Sequence, residues 1–306
     1  MFSSVMDTCE RLKAVGYLTD AVTPVVVYLA AKLNKPVLLE GPPGAGKTQL
    51  AYAVAEALET SVERLQCYQG LTEEKAIGKF DEALQNLYVG VRRKIRTDNL
   101  DWEALRTDLH SQRFFRAGPL LRAMQCHRPC VLLIDELDKV DYAFEAMLLE
   151  LLSMWQLSIP KLGTIKAEII PFVVLTSNKE RPIGDPIRRR SLYLPIEHPS
   201  PKREAEIVAL RTPNASKDFH AEIAGLAQAL RGWIMEKAPS VSEIMDLAQA
   251  MEVLGTERIT PEMRDMLLPL LAKTEADRRK LLLKDAFASL IYDAQQYSAK
   301  ALEQQA

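Results

Sequence analysis

An octapeptide that begins at residue 41 carries the residue types that bind phosphate groups. The stretch GPPGAGKT, residues 41–48, fits G-x-x-x-x-G-K-[S/T], between an apolar run and an alanine-rich helical pattern. Its glycines let backbone N–H groups surround phosphate oxygens, and the N-terminus of the following helix adds positive charge. The alternative is a chance glycine turn, which the flanking strand and helix patterns disfavour. The pattern therefore predicts a phosphate-binding loop.

The end of this loop predicts a nucleoside triphosphate with a cation. Lys47 is expected to reach the β- and γ-phosphates, and the hydroxyl of Thr48 to ligate Mg²⁺. The predicted cofactors are thus ATP and Mg²⁺. The residues predicted to bind ATP are Gly41, Pro42, Pro43, Gly44, Ala45, Gly46, Lys47, Thr48 and Gln49.

Acidic residues at the end of a second apolar run favour hydrolysis. VLLIDELDK places Asp135 where it can hold Mg²⁺, directly or through water, and Glu136 where it can activate a water. A small-molecule kinase has no need of such a base. An exposed acidic strand end is the alternative for Glu136. The next apolar run ends in TSN, so Asn178 is predicted to contact the γ-phosphate and the water, although a lone Asn there is usually a turn residue.

The elements that must position these residues are strands alternating with helices. Apolar runs such as RPCVLLID and IIPFVVLTS suit strands buried on both faces of a parallel sheet, with patterns such as DYAFEAMLLELLSMW between them. After HPSPKREAEIVAL only helical patterns remain. The predicted fold class is α/β, with a nucleotide-binding core over residues 1–199 and an all-helical domain over residues 200–306, separated at Pro199 and Pro201.

Composition excludes several function classes. The chain has 306 residues, with 39 Lys+Arg against 41 Asp+Glu, so it is not a basic body of the kind that grips nucleic acid without sequence preference. No apolar run approaches the roughly 18 residues that span a bilayer, and the start lacks a secretory pattern. CHRPC has no second ligand cluster, so buried thiols are favoured over a metal. We expect a cytoplasmic protein. The cysteines are Cys9, Cys67, Cys126 and Cys130.

In this order, the phosphate loop, LLIDELDK, TSN and a following arginine resemble AAA+ ATPases. PVLLEGPPGAGKTQLA, RLQCYQGL, FRAGPLLRAM and DPIRRRSLYLPIEHP resemble the MoxR family among them, and most of all its CoxD-like branch. The resemblance implies an αβα core, a helical lid and a ring, usually of six subunits, with ATP at the subunit boundary. It implies an insert at about 71–117 and a hairpin at about 156–168, both facing a pore.

The insert contains basic residues that are candidates for substrate contact. A solvated basic face is an equal alternative. The residues are Arg92, Arg93, Lys94 and Arg96.

The resemblance also gives a role to three adjacent arginines, which otherwise repel one another. In AAA+ rings this edge of the core faces the ATP of the next subunit, where an arginine can place its fork on the γ-phosphate. Arg190 is the first candidate for this finger and Arg189 the second, while Arg188 is expected to be a solvated helix-end residue.

One position departs from the family. EKAPSVSEIMD lacks the arginine that many MoxR proteins place at the start of a lid helix, so the lid either senses nucleotide weakly or uses Lys237 or, less favoured, Arg231. Gln66 is a candidate to hold Glu136 away from the water.

The leading interpretation is a chaperone-like ATPase that remodels or matures a partner protein. The resemblance implies a partner with a von Willebrand A domain and a client metalloenzyme, such as the molybdenum- and copper-containing carbon monoxide dehydrogenase. One alternative is a nucleic-acid motor or clamp-loader subunit, which the charge balance disfavours. Another is a nucleotide-switched scaffold with little turnover. The client and the number of subunits stay open.

Overall fold

The chain forms two compact units in a computed structural model that describes residues 2–95, 101–233 and 235–303. The sheet unit comprises residues up to 40 and residues 48–195, and the helical unit comprises residues 41–47 and residues from 196 onward. Among the helices that the structure describes, none is both long and apolar enough to cross a membrane.

The sheet unit alternates strands and helices in the order that the apolar runs predict. Two helices precede the first strand, α1 (Val5–Ala14) and α2 (Thr23–Leu33). Its other elements are β1 (Val37–Glu40), α3 (Lys47–Ala57), β2 (Val62–Gln66), α4 (Glu73–Ala76), β3 (Gly78–Phe80), α5 (Glu82–Ile95), α6 (Trp102–Leu109), β4 (Phe115–Ala117), α7 (Pro119–Met124), β5 (Val131–Asp135), α8 (Tyr142–Met154), β6 (Gln156–Ile159), β7 (Gly163–Lys166), β8 (Phe172–Ser177), α9 (Asp185–Arg190) and β9 (Leu192–Pro195).

Five parallel strands form the main sheet, in the order β2-β5-β8-β1-β9. All residues of β1, β5 and β8 are buried, as expected of central strands covered on both faces. The parallel arrangement brings the carboxyl ends of these strands to one edge, where Glu40, Asp135 and Ser177 lie. Leu120, Leu148 and Leu151 of α7 and α8 pack with Leu132 and Ile134 of β5 in the core of this unit.

Two small antiparallel pairs accompany the main sheet. β3 pairs with β4 inside the region 71–117, and β6 pairs with β7 to form a hairpin within residues 156–166. Trp155 leads into the hairpin with a φ of 52°, in the left-handed region that ends helix α8.

The helical unit contains no strand among its described residues. Its helices are α10 (Pro201–Arg211), α11 (Lys217–Gly232), α12 (Val241–Val253), α13 (Arg264–Leu271), α14 (Glu275–Leu282) and α15 (Ala286–Glu303). The P-loop type of α/β fold, with a parallel sheet followed by helices, is confirmed.

Local features explain where α12 begins and why α14 and α15 are separate helices. Ser240 caps α12, and Glu243 returns a hydrogen bond to the Ser240 backbone, which is the S-x-x-E capping box. The pattern RRKLLLKDAFASLIYDAQQYSAKALE reads as one helix, but the structure divides it into α14 and α15. Asp285 has a φ of 60°, which no helix interior accommodates.

Candidate nucleotide site

The loop 41–47 requires glycine at three positions for different reasons. A Cβ on Gly41 would lie 1.9 Å from the carbonyl oxygen of Ile196, and one on Gly44 would lie 2.3 Å from Cβ of Ser240. Gly44 and Gly46 also have φ values of +68° and +90°, which side chains rarely adopt. Pro42, Pro43 and Ala45 complete this loop. Glycine is thus required by close packing at Gly41 and Gly44 and by positive φ at Gly44 and Gly46.

Lys47 is buried and turned onto the loop itself. Its Nζ donates hydrogen bonds to the carbonyl oxygens of Gly41 at 2.8 Å and Pro42 at 2.7 Å. These acceptors are neutral, so an anionic phosphate oxygen is the stronger partner for the ammonium group. The loop therefore fits a phosphate chain, both in its backbone shape and in the position of the Lys47 ammonium group. Gln49, in the first turn of α3, is exposed.

Asp135 gathers donors at the edge of the sheet. Its Oδ1 accepts hydrogen bonds from the hydroxyls of Thr48 at 3.0 Å and Thr176 at 2.7 Å, and its Oδ2 accepts from Arg64. The side chain of Asp135 is 4% exposed. A hydroxyl and a carboxylate 3.0 Å apart are hard oxygen donors, which suit Mg²⁺ completed by phosphate and water oxygens. No group of three His, Cys, Asp or Glu residues able to hold a metal is found in the described part of the chain.

Glu136 is held by a neighbour from strand β2. Its Oε2 accepts a hydrogen bond of 3.0 Å from Nε2 of Gln66, and its backbone N–H donates to Oγ1 of Thr176 at 2.8 Å. Its φ of 58° turns the chain sharply at the end of β5. The structure thus brings together Glu136 and Gln66, and it places both beside Asp135.

Asn178 is positioned through a residue that the sequence did not single out. Asp138 is 5% exposed, and its Oδ2 accepts hydrogen bonds from the backbone N–H groups of Asn178 and Glu180, each at 3.0 Å. Asp138 therefore ties the turn after β8 to the turn after β5. Its position three residues after Asp135 in DELD was the available signal.

The three arginines of α9 have different surroundings, and one expectation was wrong. Arg188 is not a solvated helix-end residue, because its Nη2 lies 2.5 Å from Oε1 of the buried Glu40 and its Nε donates to the carbonyl oxygen of Ile183. Arg190 is exposed but donates to Oγ of Ser153 at 2.6 Å and to the carbonyl oxygen of Pro186.

Arg189 differs from both of its neighbours. It is exposed, and its guanidinium makes no hydrogen bond or ion pair to any residue that the structure describes. Of the three, Arg189 is the arginine whose donors are open to an outside partner.

Arg231 cannot serve as the missing arginine of the helical unit in this arrangement. Its two terminal nitrogens each donate to an oxygen of the fully buried Glu204 at 2.7 Å, and its Nε donates to the carbonyl oxygen of Pro239. Each of its three guanidinium nitrogens donates a hydrogen bond within the helical unit, so it is a structural residue. Lys237 is exposed, and its backbone N–H donates to Asp277.

His198 also lies in the helical unit. Burial lowers the pKa of His198 to about 4, and the positive charges of Arg231 and Lys47 add to this effect. Its Nδ1 is buried without a hydrogen-bond partner among the residues described. The imidazole of His198 is therefore neutral at neutral pH.

The structure describes only some of the basic residues of the insert. Arg92 pairs with Asp108 at 2.9 Å and stacks over the ring of Tyr88, so its charge is partly used within the insert. Arg96 and the side chains of Arg93 and Lys94 lie outside the described residues.

The cysteines are free thiols. Burial raises the pKa of Cys67 and that of Cys130 to about 12, which keeps both protonated and unreactive. Cys9 and Cys126 are partly exposed.

The glycine-rich loop of the helical unit and the acidic strand ends of the sheet unit are each features of P-loop nucleotide-binding proteins. Residues 36–190, half of the chain, match the family described as AAA domain (dynein-related subfamily). The chain belongs to this family, and it is therefore an AAA+ ATPase of the dynein-related type.

Curated relatives and solved structures are distant. An uncharacterized protein of Staphylococcus haemolyticus (strain JCSC1435) is 22% identical over 83% of this chain and 90% of its own length. An uncharacterized protein of Staphylococcus aureus (strain bovine RF122 / ET3-1) is 22% identical over 74% of this chain and 81% of its own length. A point mutant of RuvB from Thermotoga maritima is 17% identical, with a TM-score of 0.50, over 94% of this chain and 79% of that one. This last likeness shows the fold alone.

Proposed function

We propose that the chain binds Mg²⁺ and ATP through the loop 41–47 and hydrolyses ATP with Glu136 as the base that activates water. The proposal is carried by the acidic edge, where the Thr48 hydroxyl lies 3.0 Å from Asp135 and Gln66 holds Glu136 at 3.0 Å. Thr48 and Asp135 would hold the cation, which neutralises charge on the phosphate oxygens when it is bound. Lys47 would exchange two carbonyl oxygens for phosphate oxygens.

The first test removes the counter-charge of the phosphates. Lys47→Ala is expected to abolish binding of a fluorescent ATP analogue, measured by anisotropy. Lys35→Ala, at an exposed lysine that precedes the loop, is the matched control and should bind like the original protein. Tight binding by Lys47→Ala would remove the assignment of this loop.

We also propose a division of labour along the chain. Residues 1–199 would form the nucleotide core and residues 200–306 a lid, in a ring of six copies in which Arg189 or Arg190 acts on the ATP of a neighbour. The open donors of Arg189 support it, whereas Arg190 must first leave Ser153 and the carbonyl oxygen of Pro186. A finger of this kind is worth roughly 10³ to 10⁵ in turnover in well-studied systems.

Mixing each arginine variant with Lys47→Ala tests the finger. Arg189→Ala and Arg190→Ala are each mixed with Lys47→Ala. In a mixed ring the arginine variant supplies an intact loop and its neighbour supplies the arginine. Phosphate release should recover only for the variant that removed the true finger. The other arginine variant should hydrolyse ATP at nearly the original rate by itself. Absence of recovery in rings shown by native mass spectrometry to be mixed would contradict a finger acting between copies.

For the cellular role we propose remodelling or maturation of a partner protein, as a MoxR-type ATPase of the CoxD-like branch. The support is the sequence resemblance around the loop and around DPIRRRSLYLPIEHP. A protein with a von Willebrand A domain would be the partner, and a molybdenum- and copper-containing enzyme such as carbon monoxide dehydrogenase the client.

Stimulation of ATP hydrolysis separates this role from a nucleic-acid motor. Phosphate release is measured with a purified von Willebrand A domain protein, with duplex DNA, and with single-stranded DNA. Stimulation by the protein alone is the expected result. Stimulation by DNA alone would replace the proposal with the motor.

A further inference from the structure

Arg64 occupies the carboxylate that is proposed to hold the cation. Its Nε and Nη2 both donate to Oδ2 of Asp135, at 3.1 Å and 2.6 Å, and Nη2 also donates to Oε1 of Gln66. The side chain of Arg64 is 44% exposed, whereas that of Asp135 is 4% exposed. The arginine therefore reaches a buried carboxylate from the solvent side.

Strand register explains why these groups meet. Arg64 and Gln66 are two residues apart on β2, so their side chains share a face of the sheet. β2 pairs with β5 so that Gln66 lies opposite Asp135, and Glu136 follows directly. The contacts then form an unbroken chain from Asp135 through Arg64 and Gln66 to Glu136.

We propose that Arg64 is a positioning residue that competes with the divalent cation for Asp135 and, through Gln66, keeps Glu136 bound until the cation arrives. The inference rests on the proposed function. A divalent cation on Asp135 repels the guanidinium beside it, and the exposed side of Arg64 gives that guanidinium a route into water.

One nitrogen of Arg64 links cation binding at Asp135 to the release of Glu136. Nη2 of Arg64 touches both Asp135 and Gln66, so a movement away from Asp135 also breaks the contact with Gln66. The amide of Gln66 then loses the contact at its Oε1 that helps to orient it, and its hold on Oε2 of Glu136 weakens. Cation binding thereby frees the base for water.

The same strand supplies a control pair. Glu63 precedes Arg64 and points to the opposite face, where it accepts a hydrogen bond of 2.8 Å from Nε of Arg122. Arg122 is 48% exposed, similar to Arg64, but it has no contact with Asp135. Arg122 lies on α7, so Arg122→Ala removes an arginine that pairs with a carboxylate of strand β2 and leaves the acidic edge intact.

The experiment measures binding of the cation itself. Mn²⁺ is titrated in place of Mg²⁺ with a non-hydrolysable β,γ-imido analogue of ATP, and free Mn²⁺ is followed by electron paramagnetic resonance. Arg64→Ala should lower the half-saturating Mn²⁺ concentration by about threefold to tenfold, because one half-exposed positive charge beside the cation is removed. Arg64→Lys should fall between this variant and the original protein, and Arg122→Ala should not differ from the original.

The outcomes separate the inference from the function on which it rests. If the original protein shows no nucleotide-dependent Mn²⁺ binding, the proposed function fails. If it binds Mn²⁺ but Arg64→Ala binds equally or more weakly, Arg64 supports Asp135 rather than competing for it, and the inference is wrong. Circular dichroism of each variant establishes that the compared proteins are folded.

A second measurement tests the link to Glu136. Steady-state phosphate release is compared at sub-saturating Mg²⁺, where Arg64 still competes for Asp135, for Arg64→Ala, Gln66→Ala and the double variant. If one chain of contacts restrains Glu136, each single variant raises basal turnover and the double variant raises it no further than Gln66→Ala does. Additive effects, or a loss of turnover in both single variants, would overturn the coupling.

Discussion

Two arginine–carboxylate pairs, one in each unit, have opposite surroundings. In the helical unit, Arg231 makes a two-pronged contact with Glu204, whose Oε2 also accepts from Gln228, and the carboxylate is fully buried. In the sheet unit, Arg64 meets a single oxygen of Asp135 and is 44% exposed. In the first pair all three guanidinium nitrogens are hydrogen-bonded and the carboxylate is buried, while the second pair can open toward water.

The difference separates a structural pair from one that can respond to a ligand. Opening the Arg231 pair leaves a buried carboxylate without its cation, which is expensive in free energy. Opening the Arg64 pair moves a guanidinium into solvent and leaves Asp135 with the hydroxyls of Thr48 and Thr176. Changes at the sheet edge should therefore alter chemistry, and changes at the buried pair should alter stability.

The largest expected effect lies at the sheet edge. Glu136→Gln keeps the shape of the side chain but removes the base, so phosphate release should fall about 10²- to 10⁴-fold while ATP binding persists. Glu180→Gln, at an exposed glutamate after β8, should hydrolyse ATP normally. Turnover near the original rate in Glu136→Gln would mean that another group orients the water.

The next effect tests the buried pair. Glu204→Ala leaves the guanidinium of Arg231 buried without its partner, so the free energy of unfolding should fall by about 3–5 kcal/mol, measured by urea denaturation. Replacing both residues, as Glu204→Leu with Arg231→Met, should recover most of this loss. Equal destabilisation by the single and double changes would show that packing, rather than the uncompensated charge, dominates.

A smaller effect depends on pH. The pKa of His198 is lowered from 6.5 to about 4 by burial and by nearby positive charge, so the unfolded chain binds more protons between these values. The stability contributed by the neutral imidazole is full above about pH 6.5 and falls as the pH drops toward about 4. His198→Asn should flatten the dependence of the unfolding free energy on pH in this window. An unchanged slope would contradict the lowered pKa.

The smallest effect belongs to the exposed pair of Arg122 with Glu63. Arg122→Ala should change the free energy of unfolding by no more than about 1 kcal/mol, because exposed ion pairs contribute little. Thermal unfolding provides the measurement. A loss as large as that of Glu204→Ala would break the contrast between exposed and buried pairs.

Most of the fold could be predicted because its signals are local. Continuous apolar runs specify the buried parallel strands β1, β5 and β8, and helical periodicity specifies the region after residue 200. The division between α14 and α15 could not be read, since helical periodicity continues across the turn at Asp285.

The sequence predicted the candidate site only in part, because some of its contacts join segments that are distant in the sequence. Asp135 and Glu136 follow a strand, so their edge of the sheet is fixed by the sequence. The roles of Asp138 and Arg64 depend on which turns and strands become neighbours, and they were missed. The partner of Arg188, Glu40, lies 148 residues away in the sequence.

By itself, the sequence determined the features whose physics acts within a few residues. These are the glycines at Gly44 and Gly46, where the backbone adopts positive φ, and the capping box of Ser240 and Glu243. Only the tertiary structure decided which charges meet. Arg231 finds Glu204 from 27 residues away and Arg64 finds Asp135 from 71, because packing and strand order, not sequence distance, place a carboxylate beside a guanidinium.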